Sequence, residues 1–424
     1  MSGRHLTFLC HRGPVDAQRE LDLILLGASG FVGRLTAEHL AQHAPTGTRI
    51  ALAGRSHDRL EAVRTALGDV AVDWPTIVVD TADHDALAEM AARTRVVATT
   101  VGPYLRYGLP VVEACARAGT HYADLTGEVL FVRDTLERWA DVALASGARV
   151  VHSCGFDSVP SDLSVLLLAE AARADDAGTL EETRLVVRSF SGGISGGTID
   201  SVRALAQAIA ADRSLGKVVT DPYALSPHRD AEPDVRLPGD NAPIRRSGSG
   251  DWVGPFAMAS YNTRVVRLSN SLQDWAYGRT FCYGEELDYG RDALAPLRAA
   301  AVTAGLGATV AGFAFGPTRS LLDRVLPAPG EGPDEGTRRN GHFTTETRSR
   351  TTSGVRYSCV MSARGDPGYL ATSVMLGQSA LALALDGERL PKAAGVLTPA
   401  TGIGAVLAER LRDQGFTLEV TRLD

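Results

Sequence analysis

Three glycines at the end of a short apolar run constrain this chain more than any other stretch. The run Leu23–Leu26 is followed by Gly27, Gly30 and Gly33 in the spacing G-x-x-G-x-x-G, and a helical pattern begins directly behind them. A buried strand that turns tightly onto a helix N-terminus requires residues without a Cβ at such positions. The N–H groups of the first helical turn and the helix dipole then bind a diphosphate. The stretch therefore predicts a βαβ unit that binds a dinucleotide.

The first third of the chain alternates between strand-like runs and helix-like segments that end at glycines. After the first strand, the predicted strands are Arg49–Arg55, Thr76–Asp80, Arg95–Gly102, His121–Leu125 and Arg149–Cys154. Helices are predicted between them, the one after the fourth strand over Leu109–Ala118. The alternation predicts an α/β fold with a Rossmann-type, doubly wound parallel sheet, in which ligands bind outside the carboxyl ends of the strands.

The rest of the chain has a different pattern, which predicts a second, α+β domain. The 424 residues exceed what one ordinary core holds. Strand-like alternation occurs at Tyr261–Leu268 and in a hairpin formed by Phe343–Thr351 and Val355–Ser362. The expected division is a loose extension at residues 1–20, a nucleotide-binding domain at 21–158, an α+β substrate and dimerisation domain at 159–397, and a final helical segment at 398–424 that packs back on the first domain.

Composition excludes several classes of protein. The net charge of −7 argues against a nucleic-acid binder, which needs a basic face. The five cysteines are scattered, without C-x-x-C or H-E-x-x-H spacing, so neither a disulfide framework nor a metal site is indicated and a cytoplasmic location fits. The uncharged stretch Ala299–Gly316 just reaches membrane-spanning length, but its glycine and alanine content favours a buried helix or one that docks peripherally on a membrane.

The end of the second predicted strand indicates which dinucleotide binds. An acidic residue there would bind the ribose hydroxyls of NAD, whereas Arg55 can pair with the 2′-phosphate of NADP unless it merely points to water. Asp80 ends the third strand, where it lies beside the adenine or else begins a helix. We therefore expect NADP(H), bound by Gly27, Ser29, Gly30, Phe31, Val32, Gly33, Arg55, Ser56, Asp80, Val101, Gly102 and Pro103.

The end of the fourth predicted strand carries the nearest phenols. Gly102 permits close approach to the cofactor and Pro103 stiffens the exit, and Tyr104 and Tyr107 follow. A hydride that adds to a conjugated carbon leaves an enolate, which needs a proton. Either tyrosine is a candidate for donating that proton. The alternative is that both only pack at the edge of the sheet.

Two polar clusters, Tyr122–Glu128 and Cys154–Pro160, follow the fifth and sixth predicted strands. Both fall on the ligand-binding edge of the sheet, and Asp157 is a candidate catalytic acid. Alternatively, Asp157 and Ser158 cap the helix that begins at Pro160. The carboxylates of the first cluster are equally compatible with ordinary positions at a helix N-terminus.

A rival signal is the sequence Gly193–Gly197, which matches the G-x-S-x-G nucleophile elbow of serine hydrolases. It follows a predicted strand and precedes a helix, and His228 and His342 are available in later loops. However, the sheet that would carry the elbow is already used by the N-terminal nucleotide unit. The glycine-rich run also matches the motif readily by chance, so the hydrolase is the weaker hypothesis.

Taken together, the motifs resemble those of the saccharopine dehydrogenase-like oxidoreductases, and more narrowly those of the bacterial trans-acting enoyl reductases. The motifs are Gly27–Gly33, Ala53–Arg55, Val101–Tyr104, Tyr122–Glu128 and Cys154–Pro160. The resemblance is dense up to Ser161 and thinner beyond it. It implies an NADP-dependent reductase with a saccharopine reductase-like second domain.

In the enoyl reductase branch, the implied substrate is an α,β-unsaturated polyketide or fatty-acyl thioester on the carrier protein of a separate synthase. Hydride goes from NADPH to the β-carbon and a proton goes to the α-carbon. The arginine-rich amino-acid site of true saccharopine enzymes has no residue-by-residue match here. An amino-acid oxidoreductase and a non-catalytic dinucleotide-binding scaffold at lipid surfaces are the alternatives, and a homodimer is expected.

Overall fold

Two seven-stranded sheets organise the part of the chain that the structure describes. The computed structural model describes residues 19–192, 196–235, 237–240, 242–314 and 333–424. Residues 193–195 of the G-x-S-x-G motif and the last two residues of the uncharged stretch, 315 and 316, lie outside the described residues. The described residues confirm the predicted combination of a Rossmann-type sheet with a second unit.

The first sheet is parallel throughout and has the strand order β13-β6-β5-β4-β1-β2-β3. Its strands are β1 (Leu21–Leu26), β2 (Ile50–Gly54), β3 (Thr76–Val78), β4 (Thr94–Thr99), β5 (His121–Ala123), β6 (Arg149–Val151) and β13 (Gly395–Leu397). All residues of β1 are buried, as expected for a strand covered on both faces. The order reverses between β1 and β4, so the ligand crevice lies at the carboxyl ends of these two strands.

Five helices cover this sheet in the predicted alternation: α1 (Phe31–His43), α2 (His57–Leu67), α3 (His84–Ala92), α4 (Tyr104–Ala118) and α5 (Val129–Ser146). Helix α4 begins five residues before its predicted start. Its first backbone N–H groups are satisfied by a distant carboxylate, that of Glu128, which accepts from Tyr104 and Leu105. Capping by a residue 24 positions away leaves no local sequence signal.

The second sheet is mixed and has the order β14-β12-β11-β7-β10-β9-β8. Its strands are β7 (Leu180–Ser191), β8 (Arg245–Arg246), β9 (Trp252–Gly254), β10 (Cys282–Gly290), β11 (His342–Thr351), β12 (Arg356–Arg364) and β14 (Thr417–Arg422). Strands β11 and β12 form the predicted hairpin. Strand β10, which runs parallel to β7, was not predicted.

The remaining helices connect and cover the two sheets. They are α6 (Val159–Ala174), α7 (Gly196–Ala211), α8 (Ser214–Thr220), α9 (Ala259–Leu272), α10 (Ala295–Ala314), α11 (Glu335–Asn340), α12 (Thr372–Leu385), α13 (Pro399–Gly402) and α14 (Ala405–Asp413). Helix α6 packs on β11 and β12, whereas α12 packs on α1 and β4. Buried residues of both sheets and of both helices belong to one continuous hydrophobic core, which joins the two units.

The prediction of a strand at Tyr261–Leu268 is wrong, because this run lies inside helix α9. Twelve residues of α9 are buried, including Arg264 and Arg267. Arg264 pairs with Asp240 at 2.8 Å, and Arg267 donates to the carbonyl oxygen of Tyr283 at 3.2 Å. Polar residues of α9 are buried against distant partners, so polarity did not mark an exposed face, and the alternation of β-branched and polar residues favoured a strand.

The C-terminal part of the chain contributes to both sheets. Strand β13 extends the first sheet beside β6, and β14 extends the second sheet beside β12. Residues 398–424, expected to be one helical segment, form two short helices and a strand. The domain limits drawn from the sequence stay a prediction.

Two apolar helices differ in their surroundings. Among the described residues, Pro367–Leu385 is the one stretch long and apolar enough to cross a membrane, and it is 78% buried inside the protein, like a core helix. In α10, by contrast, Ala295 and Ala299 are buried while Leu297 and Val302 are 66% and 41% exposed. The described part of α10 therefore lies on the surface.

Candidate active site

The glycine turn after β1 leaves no room for side chains. Gly27 has a φ of +87°, and a Cβ there would lie 2.7 Å from Thr100 Oγ1. A Cβ on Gly33 would lie 2.0 Å from the carbonyl oxygen of Gly27. The first glycine thus makes the turn and the third allows α1 to pack on β1, which matches the roles inferred from their spacing.

The N-terminus of α1 is open to a ligand. Gly30 precedes the helix, no side chain caps it, and its first turn contains no acidic residue. The side chains of Phe31 and Val32 are half-buried. The N–H groups of the first helical turn therefore have no side-chain acceptor, and the glycines next to them have no Cβ atoms in the way. Such a helix start fits the diphosphate of a dinucleotide. Ser29 lies in the same turn.

We expect Gly33→Ala to destabilise the protein by about 3 kcal/mol or more, because the added methyl meets a backbone atom that cannot move away. NADPH affinity should fall with it. Gly54→Ala is the matched control, since its Cβ would meet Leu60 Cδ2 at an ordinary 3.5 Å. Thermal denaturation and NADPH titration of both variants check this. Wild-type stability and affinity in Gly33→Ala would refute the assigned role.

The exit of β4 lies against this turn. Thr100 Oγ1 donates to the carbonyl oxygen of Gly27 at 3.2 Å, and Val101 N–H donates to Thr99 Oγ1 at 3.2 Å. Val101 is half-buried and Gly102 is exposed, and Pro103 directly precedes α4. The structure therefore brings these predicted cofactor residues to the crevice between β1 and β4.

The residues predicted to bind the adenosine end of the cofactor differ in whether their side chains have structural partners. The Arg55 side chain is exposed just beyond β2. Ser56 Oγ accepts the N–H of Arg59 and so caps α2, and Asp80 Oδ1 accepts the N–H of Ala82 at 2.9 Å. Ser56 and Asp80 thus have local structural roles, which leaves Arg55 as the predicted residue free to meet a phosphate.

Two further arginines, Arg34 and Arg59, line a cleft next to the glycine turn. This cleft of about 270 Å³ between α1 and α2 is lined by Ser29, Arg34, Arg59, Ala62, Val63 and Ala66. Within the described parts of the chain, none of Arg34, Arg55 and Arg59 forms an ion pair. Guanidinium groups without an acidic partner fit a 2′-phosphate better than they fit ribose hydroxyls. Sequence reasoning missed Arg34 and Arg59, although Arg34 directly follows Gly33 and Arg59 lies in the first turn of α2.

The two candidate tyrosines differ in their availability. Tyr104 is buried. Its hydroxyl donates to the carbonyl oxygen of Thr99 at 3.1 Å and accepts the N–H of Leu125 at 3.2 Å. Burial raises its pKa well above the usual range. Its proton is therefore already engaged in a structural hydrogen bond. Tyr107 is 40% exposed on the first turn of α4.

Asp157 does not cap helix α6, and neither does Ser158, whose Oγ donates to Asn262 Oδ1 at 3.2 Å. Among the residues that the structure describes, the Asp157 carboxyl makes no hydrogen bond. Its Oδ2 faces Gly127, where an added Cβ would lie 3.6 Å away. Burial raises the pKa of Asp157 to about 6. A carboxyl without a structural partner and with a raised pKa is a candidate proton donor.

Asp124 holds the loops after β5 and β6 together. Its buried carboxylate accepts the Tyr122 hydroxyl at 2.9 Å and the backbone N–H groups of Thr126 and Ser153 at 3.1 and 2.8 Å. It also contacts His152 Nδ1 at 2.7 Å. The second of these loops carries Asp157, so Asp124 positions the edge on which a proton donor would lie.

Several residues of this region carried no sequence signal. Ser153 has a φ of +66°, and its Oγ lies 2.5 Å from the hydroxyl of Tyr261, which the sequence had placed on a strand. Glu285 on β10 accepts hydrogen bonds from Ser161, Tyr283 and Asn262, and burial raises its pKa to about 7. These contacts join residues more than one hundred positions apart, or lie on elements that were not predicted.

The rival motifs gain no support. Ser195 lies outside the described residues, His228 faces Trp275 with ring centres 6.2 Å apart, and His342 begins β11. No group of three or more potential metal ligands occurs within the described residues.

Known proteins share this sequence and fold. The saccharopine dehydrogenase NADP-binding domain matches residues 23–151. A Mycobacterium tuberculosis protein, provisionally named a trans-acting enoyl reductase, is 50% identical over 415 residues, which cover 96% of this chain and 98% of its own. The trans-acting enoyl reductase of Mycobacterium ulcerans is 47% identical over 422 residues, covering 96% and 99%.

A solved structure agrees in fold. Apo saccharopine dehydrogenase (L-Glu forming) from Saccharomyces cerevisiae superimposes with a TM-score of 0.55 at 15% identity, covering 95% of this chain and 99% of its own. The likeness extends over both sheets and is therefore not limited to the nucleotide-binding unit.

Proposed function

The chain belongs to the family of the trans-acting enoyl reductases, and on this premise we propose that it reduces the α,β double bond of an acyl or polyketide thioester in lipid biosynthesis. It is an NADP-dependent oxidoreductase. The observation that carries the proposal is the half-buried Asp157 carboxyl, which has a raised pKa and makes no hydrogen bond with the described residues, at the ligand edge of a nucleotide-binding sheet.

The residues present fit NADPH, which when bound supplies the hydride for the β-carbon. The N–H groups at the start of α1 would hold the diphosphate, and Arg34, Arg55 and Arg59 would hold the 2′-phosphate. Val101 and Gly102 would border the cofactor at the exit of β4. These arginines favour NADP over NAD because their positive charges attract the 2′-phosphate, whereas a carboxylate at this place would repel it.

Asp157 holds the proton that passes to the α-carbon. Its raised pKa keeps a usable fraction of the carboxyl protonated near neutral pH, and it makes no competing hydrogen bond within the described chain. Tyr104, which links Thr99 to Leu125, positions the loops on both sides of the site instead of donating a proton. Tyr107, which is exposed on the first turn of α4, stays a prediction as an alternative proton donor.

The thioester substrate is presented by a carrier protein of a separate synthase, which the names of the relatives support. The surface helix α10, which is uncharged from residue 299 onward, supports contact with lipid, either the acyl chain of the substrate or a membrane surface, because Leu297 and Val302 lie open to solvent. The homodimer and the cytoplasmic location stay predictions.

The test is NADPH oxidation in the presence of 2-enoyl thioesters of increasing length, carried by coenzyme A and by a carrier protein. We expect NADPH consumption and a saturated thioester two mass units heavier. NADPH binding without any turnover would favour the non-catalytic scaffold. Reduction of NADP⁺ by amino acids in place of enoyl turnover would favour the amino-acid oxidoreductase.

A further inference from the structure

An arginine from the second unit lies over the nucleotide turn of the first. Arg338 belongs to the short helix α11, which leads into β11. Its guanidinium carbon is 5.1 Å from the ring centre of Phe31, the first residue of α1. Tyr369 packs edge-on against the same ring, with ring centres 4.8 Å apart. Two distant parts of the chain therefore meet at the start of the phosphate-binding helix.

The Arg338 side chain has donors without acceptors. Its Nε is buried and unpartnered, and within the described residues the guanidinium makes neither a hydrogen bond nor an ion pair. The carboxyl of Asp366 accepts the N–H of Leu370 at 3.1 Å through Oδ1, and its buried Oδ2 has no hydrogen-bond partner among the described residues. Burial raises the pKa of Asp366 and the nearby positive charge of Arg338 opposes that rise, but the two side chains form no ion pair among those found in the described residues. A buried donor left unpaired is costly, and the two Nη groups also lack an acceptor among the described residues, so this arginine is suited to an anionic ligand.

We propose that Arg338 binds the diphosphate of the nucleotide together with the first-turn N–H groups of α1. The stacking of the guanidinium on Phe31 orients its planar fork, which matches phosphate oxygens. Binding of the cofactor then ties α11 and the second sheet to the first sheet. The proposal rests on the nucleotide-binding part of the proposed function and not on enoyl reduction, because NADP(H) binds at this site whichever substrate is reduced.

The neighbouring residue offers a matched control. Arg339 is exposed and pairs with Glu335 at 2.6 Å on the surface of the same helix. Arg338→Gln and Arg339→Gln change the net charge equally, one residue apart. Differences between the two variants therefore report on the position of Arg338 and not on the overall field of the protein.

The experiment titrates both variants and the wild type with NADPH, NADH and adenosine 2′-monophosphate, and records thermal denaturation with and without NADPH. We expect Arg338→Gln to weaken NADPH and NADH alike by about tenfold or more, as loss of a charge-assisted hydrogen bond does. Adenosine 2′-monophosphate, which lacks the diphosphate, should bind as to the wild type. Arg339→Gln should bind all three ligands normally.

Unchanged binding of NADPH and NADH by Arg338→Gln would overturn the proposal, as would an equal loss for adenosine 2′-monophosphate or for Arg339→Gln. An intact NADPH affinity with a raised KM for acyl-CoA, but not for the phosphate-free N-acetylcysteamine thioester, would assign Arg338 to a substrate phosphate and also overturn it. If Arg338→Gln does not fold, Arg338→Lys, which keeps the charge and loses the fork, must show the same pattern. Absence of enoyl turnover leaves these binding results unaffected.

Discussion

Replacement of Asp157 by asparagine is expected to lower kcat for enoyl reduction by about 10²–10⁴-fold, the usual contribution of a positioned general acid. The amide keeps the shape of the side chain but has no acidic proton to give. NADPH affinity should stay within about twofold of the wild type, because the glycine turn and the arginine cleft are not touched. Steady-state kinetics and NADPH titration measure both quantities.

Asp162 provides the control for Asp157. It lies five residues further along, is fully buried, and burial raises its pKa to about 6 as well. Its carboxyl, however, accepts the Ser269 hydroxyl at 2.5 Å and the N–H of Ala400 at 2.8 Å, so its partners are structural. Asp162→Asn should lower the melting temperature and keep kcat. An equal loss of kcat in both variants would show that Asp157 matters only for the fold.

The same assignment sets the pH dependence of the reaction. Burial raises the pKa of Asp157 from 3.8 to about 6, so the proton-bearing form predominates below pH 6 and falls about tenfold per pH unit well above it. We expect kcat to decline as the pH rises through this range. In Asp157→Asn this decline should be absent. An unaltered profile in the variant would remove Asp157 as the donor.

Replacement of Arg55 by aspartate is expected to weaken NADPH binding by about 100-fold, the upper range for a lost charge-assisted contact. The new carboxylate repels the 2′-phosphate, but it can accept hydrogen bonds from the ribose hydroxyls of NADH. NADH affinity should therefore change little or improve. Fluorescence titration with both nucleotides gives the ratio of the two dissociation constants.

Arg213→Asp is a suitable control for this charge reversal, because Arg213 is exposed at the start of α8, away from the cleft. It should leave both nucleotide affinities unchanged. Alanine at Arg34 or Arg59 should weaken NADPH binding by about tenfold each and spare NADH. If Arg55→Asp weakens NADPH and NADH equally, the assignment of Arg55 to the 2′-phosphate is wrong.

The candidate site was only partly readable from the sequence. Gly33 could be assigned because its neighbours in space are also its neighbours in the chain. Asp157 could be picked out from the sequence, but a catalytic role could not be distinguished from helix capping. The distinction depends on whether its carboxyl accepts a hydrogen bond at the start of α6, and the structure contains no such bond. Arg338 could not be found, because its position over Phe31 joins residues more than three hundred positions apart.

By itself, the sequence determined the parallel nucleotide-binding sheet, the glycine turn and the preference for a phosphorylated dinucleotide. These features depend on short-range rules, such as conformations open only to glycine and the alternation of buried strands with helices. Only the tertiary structure decided that Tyr261 lies on a helix, that β13 completes the first sheet and that Arg338 reaches α1. The physical reason is that the polar residues of α9 are buried by partners from distant parts of the chain, and that such long-range contacts are formed by packing, which no local pattern encodes.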